Sequence, residues 1–204
     1  MSGESKIGAL ILAAGLSRRM GTFKPLLPLG EVTVIEQTVL SVLSGGAESA
    51  VVVTGHRADE VEALLRRRFG DRVRFIRNPD FSTTDMLCSV RLGAAILPDC
   101  EAFFLLPGDM PAVSPETFRA LLDARRRQGG LLVFPTSSGR RTHPPLVDAA
   151  LIPEILSFRG GDGLRGLWRA HEGDSVFVPV PDPGVTLDLD TPEDYERCKK
   201  LMKI

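Results

Sequence analysis

Residues 11–24 read ILAAGLSRRMGTFK, and the change of character along this stretch decides the fold. It begins inside an apolar run, Ile7–Leu12, and passes through Ala13, Ala14 and Gly15 to Ser17, Arg18, Arg19, Gly21 and Lys24. The run is continuously apolar rather than alternating, which predicts a strand buried on both faces, the habit of a parallel sheet. A flexible, strongly positive loop at the carboxyl end of such a strand lies where open α/β sheets bind ligands.

The rest of the chain repeats the pattern. Strands are expected at Ile7–Leu12, Ala50–Thr54, Val73–Arg77, Ala102–Leu106, Leu131–Pro135, Ser175–Val180 and Val185–Leu187. Helix-period stretches separate them. Residues 34–43 place Ile35, Val39 and Leu43 on one face, and residues 58–69 turn Val61, Leu64, Leu65 and Phe69 inward. Residues 86–97 and 115–127 follow the same rule. Ser114-Pro115 and Thr191-Pro192 each supply an N-cap followed by proline at the first helical position. Strand–helix alternation predicts an α/β fold: a single three-layer α/β/α domain over residues 1–204, with a mostly parallel sheet and right-handed crossovers.

Composition narrows the ligand. A net charge of -1 over 204 residues argues against nucleic acid or an anionic membrane as a bulk electrostatic partner. Positive charge is then local and suits a small anion. No apolar run approaches the ~18 residues of a membrane span. Residues 7–16 do not read as a signal peptide, because Glu4 precedes them and Arg18 and Arg19 follow at once. Cys88, Cys100 and Cys198 are odd in number and form no C-x-x-C, so neither a disulfide framework nor a zinc site is indicated, and a reducing cytoplasm is expected.

The loop 13–25 carries the elements of an anion cradle. Gly15 and Gly21 let the backbone turn and approach a ligand, Ser17 adds a hydroxyl, and Arg18, Arg19 and Lys24 add charge. The alternative is a solvated connector. It is not a P-loop, because Gly21 is followed by Thr22 and Phe23 before Lys24, and Gly15-Leu16-Ser17 breaks the dinucleotide fingerprint. Asp109 follows the apolar strand at 102–106 on a turn with Gly108 and Pro111, while Asp188 and Asp190 precede the last helix. Loops distant in sequence can bring such carboxylates over one crevice, where they suit Mg²⁺. The alternatives are a turn aspartate bonded to its own backbone and a residue favoured by a helix entrance. Elsewhere, His56 and His171 read as a turn and a helix-end residue, Trp168 as core, and Asp162 as an N-cap.

Taken together, LAAGLSRRMGTFKPLLPLG, VVVTGH, LLPGDMP and LDLDTPEDYE, in that order across residues 7–195, resemble the nucleotidyltransferases with an L-A-[AG]-G-x-S-x-R-M-G-x-x-K loop. The branch most similar is the molybdenum cofactor cytidylyltransferase-like group. The resemblance implies a Rossmann-like nucleotidyltransferase domain, with an NTP-binding part over about 1–111 and an acceptor-binding part over about 112–204. It implies that Arg19 and Lys24 hold phosphate, with Arg18 on a variable position, and that Leu12, Ala13, Ala14, Gly15, Ser17 and Gly108 line the nucleotide. Asp109 and Asp190 become the Mg²⁺ ligands, with Asp188 as the alternative to Asp190; Lys24, Arg19 and Asp109 become the catalytic set. SGRRTHPPLV, residues 138–147, resembles the family's G-H-P segment, with Thr142 where glycine is common, and implies that Arg140, Arg141 and His143 face the acceptor.

The implied reaction is transfer of CMP from CTP to the phosphate of molybdopterin, with a molybdoenzyme or its chaperone as a further partner. Position 14 supports a pyrimidine, since LAAG goes with cytidylyl and LAGG with guanylyl transfer. Thr83-Thr84-Asp85-Met86 departs from the family, which carries glycine before the methionine. Thr84 and Asp85 either meet the base or cap the next helix, and Ser89 is a further contact candidate. Rival readings are another NTP or a sugar or alcohol phosphate acceptor, and a catalytically silent nucleotide-binding protein that delivers cofactor.

Overall fold

The computed structural model describes residues 6–17 and 20–204; Arg19, expected to hold phosphate, and Arg18, on a variable position of the loop, lie outside the described residues. The chain runs β1 (Ile7–Ala13), a short hairpin of β2 (Pro28–Leu29) and β3 (Val32–Thr33), α1 (Val34–Ser44), β4 (Ser49–Thr54), α2 (Ala58–Phe69), β5 (Val73–Arg77), α3 (Met86–Ala94) and β6 (Ala102–Pro107). It continues through α4 (Pro115–Gln128), β7 (Leu132–Ser137), β8 (Arg140–Arg141), β9 (Leu146–Asp148), α5 (Ile152–Ser157), α6 (Gly163–Ala170), β10 (Ser175–Pro179) and α7 (Pro192–Met202).

The main sheet has the order β10-β7-β9-β6-β1-β4-β5, with β8 paired to β7. β1 lies between β4 and β6 and is parallel to both, with Leu12 opposite Val53 on one side and Pro107 on the other. The pairs β4–β5 and β7–β10 are also parallel. β9 is antiparallel to β6 and to β7, and β8 is antiparallel to β7. Expectation and structure agree on a mostly parallel sheet in three layers. Two details differ. Leu146–Asp148, absent from the expected strands, is the strand that fills the gap between β6 and β7. Val185–Leu187 was expected to be a strand, but Pro183–Thr186 is a turn of 3₁₀ helix, set by Pro183 and by Asp182, whose carboxylate accepts from Gly184 N.

Side chains alternate along β1 because successive Cβ atoms face opposite sides of a strand. Ala9 and Ile11 point to a core shared with Ile35 and Val39 of α1, Val61 and Leu65 of α2, and Phe118 and Leu121 of α4. Leu10 points to the other core, with Val90 of α3, Ile155 of α5 and Leu167 and Trp168 of α6. Phe104 meets Phe118 edge-on at 4.9 Å, the arrangement aromatic quadrupoles favour. A third, smaller core joins Leu29, Val34, Leu187, Leu189 and Cys198, and packs the hairpin, the start of α1 and α7 together.

The caps read from sequence are present. Ser114 accepts from Thr117 N at the start of α4, and Thr191 and Asp194 form a reciprocal capping box on α7. Asp162 precedes α6 without capping it; its carboxylate pairs with Arg169 instead. No helix among the described residues is long and apolar enough to cross a membrane.

Candidate active site

From β1 the chain moves outward through β4 to β5, then returns to β6 on the other side of β1. The loops after β1 and β6 therefore diverge at the carboxyl edge, the switch point where open α/β sheets form a crevice. A cleft of about 410 Å³ opens there. Its walls are residues 12–15, Ser17 and Lys24 from the first loop, Pro107 to Asp109 after β6, Phe81, Thr84 to Met86 and Ser89 after β5, and Asp188 and Asp190.

The first loop is anchored at several points. Ser17 and Gly21 take the left-handed conformation, with φ of 52° and 70°. For serine that costs about 1 kcal/mol, offset by two bonds: Ser17 Oγ accepts from Lys24 N at 3.1 Å and Ser17 O accepts from Met20 N at 3.1 Å. Phe23 is buried and meets the His56 ring edge-on at 5.2 Å, so His56 braces the loop. Gly15 does not make the turn, contrary to expectation, since its φ is not left-handed. A Cβ on Gly15 would also meet no atom of the described residues within 4 Å. Nothing among the described residues requires glycine there.

Lys24 is buried at 8 % exposure, and its ammonium donates to Asp109 Oδ2 at 2.9 Å and Asp190 Oδ1 at 2.8 Å. Burial alone would lower its pKa, but the Asp109 charge and hydrogen bonds to both carboxylates outweigh it and raise the value above the ordinary lysine range. The sequence LDLD explains how both late aspartates arrive. Leu187 and Leu189 alternate downward into the small core, which turns Asp188 and Asp190 toward the cleft. Leu189 N reaches Asp109 O at 3.4 Å and ties this segment to the turn after β6.

Asp188 is open to solvent at the cleft wall, yet its pKa is raised, first by desolvation in the concavity and then by the Asp109 charge. His143 sits near both aspartates. Burial lowers its pKa, against the opposing pull of Asp188, and its Nδ1 is buried without a hydrogen-bond partner among the described residues.

Two supporting residues, Asn78 and Gly55, were not singled out from the sequence. Asn78, 2 % exposed, donates to Thr84 Oγ1 at 3.1 Å and Ser89 Oγ at 3.0 Å, and accepts from Asp80 N. It holds the whole 78–89 segment against the cleft. Asp85 caps α3 by accepting from Cys88 N, so the capping reading of this segment holds, and Asp85 lines the cleft as well. At Gly108 a Cβ would sit 2.9 Å from Ile35 Cδ1 and 3.1 Å from Leu12 O; glycine there lets the turn after β6 close onto β1. Gly55 does the same for β4, with Ala14 O and Phe81 each 2.8 Å from its Cβ position.

Arg140 and Arg141 stand exposed on β8 and do not line the cleft; the Arg141 guanidinium lies 5.4 Å from the Phe134 ring centroid. The structure thus gathers Lys24, Asp109, Asp190, Asp188 and His143, and leaves the two arginines exposed outside the cleft.

Among the described residues, no three His, Cys, Asp or Glu side chains are grouped to hold a metal unaided. Asp109 and Asp190 do converge, because one ammonium touches both. Two hard carboxylate donors in an open cleft fit a cation of the Mg²⁺ type, which keeps waters and completes its shell with substrate phosphates. They do not fit a closed zinc site.

The fold and cleft define an α/β nucleotide-handling protein of the nucleotidyltransferase class. The chain belongs to the MobA-like NTP transferase family, whose domain matches residues 9–176. It is 30% identical to the molybdenum cofactor cytidylyltransferase of Escherichia coli K12 over 198 residues, 96% of this chain and 97% of that protein. It is also 30% identical to the nicotine blue oxidoreductase of Paenarthrobacter nicotinovorans, over 94% of this chain and 95% of that one. Among solved structures, a nucleotidyl transferase from Methanothermobacter thermautotrophicus superposes with a TM-score of 0.81 at 30% identity, covering 98% of this chain and 99% of that one.

Proposed function

We propose that the protein transfers CMP from CTP to the phosphate of molybdopterin, releasing pyrophosphate, with Mg²⁺ bound at Asp109 and Asp190. The observation that carries this reading is the buried Lys24 ammonium between two carboxylates at the switch-point cleft. The E. coli cytidylyltransferase relative supports the choice of base and acceptor.

An oxygen of the acceptor phosphate attacks the α-phosphorus of the nucleotide. The bond from that phosphorus to the bridging oxygen breaks, and pyrophosphate departs. The attacking group is already anionic, so the chain's task is placement and charge neutralisation. The backbone at 13–15 lies against the nucleotide, and open space at Gly15 lets phosphates approach. Lys24, with Arg19, neutralises the leaving pyrophosphate. Mg²⁺ held by Asp109 and Asp190 would supply positive charge against the negative charge that develops on the phosphates. Asp109 and Asp190 fix its place, with Asp188 beside them. Ala14 forms part of the base wall, and its methyl favours a pyrimidine over a purine. His143, Arg140 and Arg141 serve the acceptor side.

The test is competitive. With CTP and GTP together and molybdopterin as acceptor, the wild-type product should be mainly the cytosine dinucleotide. Ala14→Gly should shift the product ratio toward guanine about tenfold, since relieving a small clash is worth ~1–3 kcal/mol. A wild-type preference for GTP overturns the cytidylyl reading. Turnover only with a sugar or alcohol phosphate overturns the acceptor. Nucleotide binding without pyrophosphate release would mark a silent delivery protein. Redox turnover without pyrophosphate would align it with the oxidoreductase relative.

A further inference from the structure

Lys24 occupies the point on which Asp109 and Asp190 converge, at 2.9 and 2.8 Å from their oxygens. A divalent cation using both carboxylates must take that point. For this to happen without nucleotide, a nearly buried ammonium must give up two charge-assisted hydrogen bonds in a poorly solvated place. Removing the partners of a buried charge is strongly unfavourable. A triphosphate in the cleft changes the balance, because it offers Lys24 another anion within the same loop region.

We propose that Lys24 acts as a resident counter-cation that bars divalent metal from Asp109 and Asp190 until a nucleotide draws it away, so that metal and nucleotide load together. This rests on the reading of the two aspartates as metal ligands. The device keeps the carboxylates paired in the empty enzyme. It also gives Lys24 a second role, distinct from neutralising the leaving group. Coupling of this kind is reciprocal: whatever nucleotide does for metal affinity, metal does for nucleotide affinity.

The probe is Mn²⁺ alone, followed by paramagnetic resonance or calorimetry on the full chain without nucleotide. Lys24→Met and Lys24→Gln should bind Mn²⁺ at least tenfold more tightly than wild type. Arg57→Gln, which removes a positive charge packed on Phe23 of the same loop and paired with Glu60 rather than with either aspartate, should match wild type. Equal affinity in wild type and both Lys24 variants overturns the proposal. An equal gain in Arg57→Gln also overturns it, since the effect would then be the general field. Absence of protein-bound Mn²⁺ in every protein, with or without CTP, overturns both this proposal and the metal reading beneath it. A second measurement needs no variant. The Lys24 side-chain ammonium resonance in wild type should move on adding CTP with a chelator and stay still with Mg²⁺ alone; movement with Mg²⁺ alone contradicts the device.

Discussion

Asp109 and Lys24 are joined by one 2.9 Å bond, yet the chemistry assigned to each predicts different losses. Asp109→Ala leaves Lys24 its bond to Asp190 and removes no core, so the fold should survive. Turnover should fall by roughly two orders of magnitude or more, because a lost metal contact costs several kcal/mol of transition-state stabilisation. Near-normal Mg²⁺-dependent turnover would remove Asp109 from the site. Asp188 permits a pH prediction. Its folded pKa is raised, so the folded state favours the proton more than the unfolded chain does. Its charged form therefore destabilises the fold, by nothing below the ordinary aspartate range and increasingly as pH rises through the raised value. Asp188→Asn should unfold at higher denaturant than wild type at neutral pH, and the gap should close by about pH 4, near the unfolded aspartate pKa. A gap independent of pH would place its cause elsewhere. These residues were visible in sequence because LDLD and GDMP bracket short apolar anchors. What sequence did not resolve was whether Asp188 or Asp190 meets the site; alternation with Leu187 and Leu189 turns both toward it.

At the scale of elements, the glycines separate packing from ligand approach. Gly55 lies where β4 ends, and an added Cβ would press on Ala14 O and Phe81, each 2.8 Å away. Gly55→Ala should destabilise by ~1–3 kcal/mol and also impair the cleft wall. Gly15→Ala should change stability by less than about 1 kcal/mol, since an added Cβ meets nothing among the described residues and the φ of Gly15 is ordinary, yet it should weaken nucleotide binding severalfold or more. Parallel denaturation and nucleotide titration of the two variants distinguish these outcomes; equal stability loss in both would show that Gly15 serves the fold. Most elements were legible because their signals were local. The caps at Ser114 and Thr191, the buried faces of α1 and α2, and the apolar runs of β1, β4 and β6 each follow from residues close in sequence. β9 was not legible. Three residues, Leu146–Asp148, carry no periodicity, and only the gap between β6 and β7 makes them a strand. Asn78 was hidden for a similar reason, since its partners Thr84 and Ser89 come together only when the turn before α3 closes.

Across the whole molecule, β1 sets the site by sitting between β4 and β6, so that loops from both halves of the sheet meet over its carboxyl end. The same scaffold supports many chemistries, and the site rather than the fold decides among them. Membership of the MobA-like NTP transferase family implies attack at the α-phosphorus. Two preparations of CTP test this most directly, one radiolabelled in the α-phosphate and one in the γ-phosphate, each incubated with the protein, Mg²⁺ and molybdopterin. The account predicts that the α label enters the acceptor product and that the γ label leaves entirely in pyrophosphate. Transfer of the γ label to the acceptor, or recovery of both labels in unreacted CTP while the protein is folded and binds nucleotide, would contradict it.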